Sequence, residues 1–278
     1  MGEAKRKRDR HSEILRADPF CVFCGGRRAA TTIDHQPPKI FFRGKRHPDD
    51  FEFAACADCN HGVSDLEQVT ALWINLSGQG HLDAEGLHKK IAGVYNNNRD
   101  ALPSKMDDRA AWRNAAKKFG VQLPLGADFS DFPIVRLPTE AKVAFLLSGA
   151  KIAIALYRKQ LGRPFPRDGR VDVRFDANIR HAWPDRANEL SKLTPFISTT
   201  SFQREDLSSQ FAYRWSYTEE LSTFLVMIQL GSAYLQYCCL IDGLGPQAPD
   251  AVERIPIWRD PATFCSEARQ RLLAEQAV

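Results

Sequence analysis

From Ser64 onward the apolar positions fall at helical spacing, with Leu66, Val69, Leu72, Trp73 and Leu76 on one stripe. Ser64 followed by Glu67 has the form of a capping box, which places the start of this helix, and Gly78 places its end. Leu87, Ile91 and Val94 continue a helical period up to a break at Asn96-Asn97-Asn98, and a strongly charged helical stretch follows over 104–119. Residues 120–138 lose periodicity and carry Pro124, Pro133 and Pro138, so they read as a linker. The segment 139–161 is apolar nearly all round, which predicts a buried helix; Lys142 and Lys151 interrupt it and argue against a membrane span. Beyond it, the runs Val171 to Phe175, Phe196 to Phe202, Phe211 to Tyr217, Thr223 to Leu230 and Tyr234 to Ile241 read as strands, with Gly231-Ser232 as a hairpin turn.

Ahead of Ser64 the pattern is shorter in period. Strands are expected over 29–34 and 51–54, separated by an irregular loop over 36–50, and a short helix over 11–18 leads to Asp18-Pro19. The fold class is therefore α+β, in three parts: a small N-terminal module over 1–80, a helical connector and linker over 81–137, and an α+β domain with an antiparallel sheet over 138–278. Within that last domain Phe211, Tyr213, Trp215 and Tyr217 share one strand face at spacing two. Such a row could stack bases, but the face that packs on the long helix is the preferred reading. No phosphate-binding glycine loop or second ligand cluster marks this half, so its expected role is target selection, or partner binding or dimerisation.

Composition changes this picture little: 44% hydrophobic and 26% charged residues are ordinary for a folded, water-exposed chain. Charge distribution says more. The net charge is +4, yet residues 1–46 alone carry twelve Lys/Arg against five Asp/Glu. Lys5-Arg6-Lys7-Arg8, and a loop bearing Lys39, Arg43, Lys45 and Arg46, suit a polyanion, because each neutralised phosphate releases a condensed counterion. Phe41 and Phe42 in the same loop are read as its anchors, and His47 as a surface residue. The amino terminus has no apolar core and does not read as a signal peptide.

Seven cysteines include two Cys-x-x-Cys pairs, Cys21/Cys24 and Cys56/Cys59. Each pair delivers two sulfurs to one side of a tight turn, and four thiolates suit one tetrahedral Zn²⁺ with no position left for water, hence a structural zinc. Cys238, Cys239 and Cys265 remain; the first two adjoin one another in an apolar run and read as buried free thiols, which favours a cytoplasmic setting.

Thirty-one residues separate Cys24 from Cys56, more than a plain two-knuckle site uses, and the interval carries Asp34-His35; Asn60 directly follows the last cysteine. In this order of elements, residues 18–75 resemble the HNH, or ββα-metal (His-Me finger), endonucleases, specifically the zinc-stapled branch that includes phage junction-resolving enzymes. The resemblance implies that Asp34 and Asn60 hold a catalytic Mg²⁺ or Mn²⁺ and that His35 is the general base. It also implies that DNA is cut to a 5′-phosphate and a 3′-hydroxyl. RNA is not set aside as a substrate, and by analogy defence against foreign DNA is the leaning for its biological setting. Adjacent residues in a regular strand point to opposite faces, so Asp34 and His35 can serve one phosphate only from a strand end. Thr31-Thr32-Ile33 supplies the strand and Pro37-Pro38 is expected to stop it. A departure from the family is Phe51 where a middle Asn is common; Asp50 beside it is the candidate substitute, and His61 is read as a solvated helix-start residue. The rival reading is a non-catalytic nucleic-acid-binding zinc module, which has no need of Asp34, His35 and Asn60 together.

Overall fold

The computed structural model describes residues 3–42, 47–77, 84–102, 104–105, 109–118, 135–167, 169–177, 198–199, 207, 209–231, 233–242 and 254–255. The chain is α+β. Helix α1 (Glu3–Ala17) leads into a 3-10 turn (Val22–Cys24), then the hairpin strands β1 (Thr32–His35) and β2 (Glu52–Ala55), and the helices α2 (Ala57–His61) and α3 (Ser64–Ser77). Next come α4 (Ala84–Asn97), β3 (Ser104–Lys105), α5 (Arg109–Lys118) and β4 (Val135–Arg136), with β3 and β4 forming a two-residue antiparallel ladder. The long helix α6 (Thr139–Leu161) precedes β5 (Arg170–Ala177), β6 (Ser198–Thr199), β7 (Phe211–Thr218), β8 (Thr223–Leu230), β9 (Tyr234–Ile241) and β10 (Arg254–Ile255). These six strands pair antiparallel in the order β10-β5-β9-β8-β7-β6.

Helix α6 is the centre of the molecule. Its residues from Ala141 to Tyr157 are buried apart from Lys142, as a nearly all-round apolar helix must be. One side packs on the large sheet and another on α3. A single hydrophobic cluster therefore runs from Cys21 in the first knuckle through α3 and α6 to Leu240 in β9, across the linker that divides the sequence by composition. Phe211 and Tyr213 are buried in that cluster, with Trp215 and Tyr217 packed against it, so the aromatic row is core. Phe41 and Phe42 are buried as well, and the Phe42 and Phe211 rings meet edge to face at 6.3 Å.

Three local expectations change. Helix α1 begins at Glu3, well ahead of residue 11. The capping box does not form: α2 runs into α3 with two residues between them, Glu67 N–H donates to Val63 O, and Ser64 Oγ donates back to His61 O. The Glu67 side chain is thereby released for another role. Of the helix expected over 104–119, Arg109–Lys118 is helical, while Ser104–Lys105 is instead a strand paired with β4. Of the strand expected over 196–202, only Ser198–Thr199 lies among the described residues. No helix among the described residues is long and apolar enough to cross a membrane.

Candidate functional site

The sulfur cluster comes first, because it closes the hairpin. Cys21 precedes the 3-10 turn that ends at Cys24, where Gly25 and Gly26 adopt φ of 60° and 74°. Gly25 has a second constraint: a Cβ there would lie 2.6 Å from Arg167 Cα, so the knuckle is pressed against the loop after α6. Cys56 precedes α2 and Cys59 lies within it. All four Sγ atoms lie within 4.8 Å of one another, and all four residues are buried. Tetrahedral zinc with Zn–S near 2.3 Å needs S···S edges of about 3.8 Å, so these four can hold such a metal with small shifts. Hydrogen bonds from Cys21 and Cys59 lower the pKa of Cys24, which favours a thiolate at this corner of the cluster. An Arg28–Asp58 ion pair ties the two knuckles together from outside.

The hairpin pairs Thr32 with Ala55, Ile33 with Ala54, Asp34 with Phe53 and His35 with Glu52. Pairing continues past His35, since Gln36 N–H donates to Phe51 O at 3.1 Å. The strand is thus regular through the Asp-His pair, and its side chains alternate: Thr32 and Asp34 on one face, Ile33 and His35 on the other.

Asp34 faces inward and is buried. Its Oδ2 lies 2.7 Å from Lys151 Nζ on α6, and its Oδ1 accepts from Gln36 Nε2 at 3.1 Å. Glu67 on α3 joins them, with Oε1 3.1 Å from Lys151 Nζ and 3.5 Å from Gln36 Nε2. Burial opposes the Lys151 charge, but the two carboxylates outweigh it and hold its pKa above the ordinary lysine value. Burial, reinforced by Asp34, raises the pKa of Glu67, with Lys151 working the other way.

Asn60 is the penultimate residue of α2, and its Nδ2 donates to Thr32 Oγ1 at 3.1 Å and to Ile33 O at 3.2 Å. That amide staples α2 to β1. Asp34 and Asn60 therefore each serve a neighbour of their own, and His35 is on the far face of the strand. Pro37 stops the strand one residue too late for Asp34 and His35 to share a face. As arranged, Asp34 and Asn60 do not fit a divalent cation: an ammonium already occupies the carboxylate oxygen such an ion would take.

On the far face, His35 Nε2 lies 3.0 Å from Glu52 Oε1, directly across the ladder. Glu52 Oε2 in turn lies 2.7 Å from Arg10 Nε on α1, which packs along the hairpin. Burial works against the Glu52 charge, but Arg10 and His35 prevail and lower its pKa. Burial and then the Lys39 charge lower the pKa of His35, with Glu52 opposing. The His47 ring meets His35 edge to face at 5.2 Å, and its Nε2 donates to Pro37 O at 2.7 Å. His47 is thus part of this wall, and burial pushes its pKa down to about 4.

Glu52, and not Asp50, is the acid at His35; Asp50 accepts from Arg10 at 3.2 Å instead. His61 is exposed. Lys39 is half-buried in the 3-10 turn that follows β1, within the loop joining the two hairpin strands, while Arg43, Lys45 and Arg46 lie outside the described residues. On α1, Lys5, Arg6, Lys7, Arg8 and Arg10 are exposed. Glu52 was findable, because drawing the hairpin in register puts it opposite His35. Lys151 also gave a signal: a lysine inside an otherwise apolar helix needs a buried counter-charge.

No family model, curated protein or solved structure matches this chain.

Proposed function

We propose that the chain is a zinc-stapled HNH-type endonuclease that hydrolyses DNA phosphodiester bonds at the His35 face of its ββα module. The observation that supports this best is the His35–Glu52 pair at 3.0 Å, on a hairpin joined to a helix by four clustered cysteines and flanked by a basic helix. Because a carboxylate can only accept, the Nε2–H of His35 donates to Glu52, which leaves Nδ1 unprotonated and able to take a proton from water. The lowered pKa keeps the imidazole neutral at pH 7, as a general base must be. Once His35 is protonated, the ionised Glu52 stabilises the imidazolium, while Arg10 holds Glu52 in place.

Water attacks phosphorus as its proton passes to Nδ1; the bond to the 3′ oxygen breaks, and that oxygen is protonated by solvent. Lys39 and the exposed cations of α1 offset the charge on the phosphate. The resemblance also implies Mg²⁺ or Mn²⁺ on Asp34 and Asn60, which would supply Lewis-acid stabilisation of the leaving oxygen. Since those residues are otherwise engaged, no step above runs through such an ion.

The engagement of Asp34 by Lys151 favours a second reading, a nucleic-acid-binding zinc module without catalysis. One experiment separates them. Supercoiled plasmid, linear duplex, single-stranded DNA and RNA are incubated with the protein and with its His35→Ala variant, in Mg²⁺, Mn²⁺ or EDTA. Nicking that is lost in a folded, zinc-loaded His35→Ala protein is the expected result. Binding without cleavage in all conditions would establish the second reading.

A further inference from the structure

Lys151 is the central charged residue of the molecule. It lies in the middle of α6, with 2% of its side chain exposed, among residues that are otherwise apolar or small. Two carboxylates from separate elements flank its Nζ, Asp34 on β1 at 2.7 Å and Glu67 on α3 at 3.1 Å, and the Gln36 side chain just after β1 donates its Nε2–H to both of them, at 3.1 Å and 3.5 Å. Gln36 is itself 1% exposed, and its Oε1 is buried without a hydrogen-bond partner. Two carboxylates around one buried cationic centre are the ligand type that hard divalent ions select. Here the cation is covalently part of the chain.

We propose that the Lys151 ammonium is the resident cation of this junction. It fills the place on Asp34 that a metal would need, so the native chain takes no divalent ion there, and removing the ammonium uncovers a divalent-cation site built by Asp34 and Glu67. This goes beyond the nuclease reading and does not depend on it, because it concerns ion binding on the strand face opposite His35. It follows from charge and distance together. With Lys151 in place, a second cation would sit within a few ångströms of an ammonium in a poorly solvated interior, where like charges repel strongly. With Lys151 replaced by a neutral side chain, one or two negative charges remain, and nothing else among the described residues is paired to Asp34 Oδ2.

The test is a titration with Mn²⁺ of zinc-loaded protein, the zinc keeping the cysteine cluster out of the measurement. Free Mn²⁺ is followed by its electron paramagnetic resonance signal, and zinc content and circular dichroism confirm the fold. Wild type is expected to bind no Mn²⁺ at this cluster up to about 1 mM. Lys151→Met is expected to bind one Mn²⁺ per chain at least about tenfold more tightly than wild type, and Asp34→Asn in the same background to abolish that binding. A wild-type chain that binds one Mn²⁺, lost on Asp34→Asn, would overturn the proposal. So would a folded Lys151→Met protein that binds no more Mn²⁺ than wild type. Should Lys151→Met fail to fold, Lys151→Gln, which keeps a polar end without the charge, takes its place under the same two criteria. Neither readout involves cleavage, so a failed nuclease assay leaves this result standing, and the reverse holds as well.

Discussion

Replacing Asp34 by Asn separates a structural carboxylate from a catalytic one, and the structure gives the size of the effect. Asn keeps the shape of Asp and can still accept from Gln36, so what is lost is the charge 2.7 Å from Lys151 Nζ. Breaking a buried ion pair on one side costs about 3–5 kcal/mol, because the surviving charge stays buried without compensation. Glu67 remains 3.1 Å from Lys151, which favours the lower end, about 3 kcal/mol. At about 2.1 cal/mol/K per residue, unfolding this 278-residue chain carries about 0.6 kcal/mol/K, so Tm should fall by about 5 °C. The assay is thermal unfolding of zinc-loaded protein at pH 7, followed by circular dichroism. Adding Lys151→Met to Asp34→Asn removes both charges, and Glu67, whose pKa is already raised, can then take a proton. The double variant should recover to within about 2 °C of wild type, since apolar replacement of a whole buried pair is often neutral. An Asp34→Asn protein melting within about 1 °C of wild type would refute the reasoning.

Cys56→Ala should abolish zinc binding and unfold the hairpin module, read as loss of zinc content and of circular dichroism signal, because a structural zinc contributes about 10–16 kcal/mol in comparable small domains. Glu52→Gln should leave zinc content unchanged but reduce cleavage by about tenfold or more, since His35 loses the group that stabilises its protonated form. Its acid limb in a pH–rate profile should also move to lower pH, as the opposing carboxylate is gone. His47 gives a pH-dependence of stability: its folded pKa of about 4 lies below the ordinary 6.5, so the unfolded chain binds more protons between these values. Stability should be full above pH 6.5 and fall by at most about 3 kcal/mol as pH drops toward 4, and denaturant unfolding of His47→Gln should show a shallower slope over that window.

Much of the fold was legible because its longest elements are also its most periodic. Helix α6 was readable end to end, since an apolar run of that length without strand alternation has one stable solution, burial as a helix. Strands β7, β8 and β9 were equally plain from their length and β-branched and aromatic content. The four cysteines could be grouped because Cys-x-x-Cys spacing dictates local geometry. Asp34 could not be placed in the same way. Its neighbours in sequence fix only which face it takes, and whether the strand ends at His35 or one residue later is a matter of the Gln36–Phe51 hydrogen bond. The capping box failed for a related reason: Glu67 has a stronger partner in Lys151, 84 residues away, than in the helix start beside it.

These long-range ties explain why the small module needs no large core of its own. Zinc ligation would join the knuckles at one end of the hairpin, and Lys151 holds Asp34 and Glu67 together beneath it. Arg158 grips the Asp18 carboxylate at 2.8 Å just ahead of the first knuckle, and Tyr234 OH donates to Trp73 O at 3.2 Å, so α6 and the sheet hold the module at further points. The Lys151 contact lies on the inner side of β1, the cysteine cluster and Asp18 lie near its start, and Trp73 is on α3. The outer side carries His35, Glu52 and Arg10, where side chains from α1 and the loop around His47 approach. A hairpin fixed from within and near the start of β1 can hold one partly exposed imidazole steady, which is what the general-base role proposed for His35 would require.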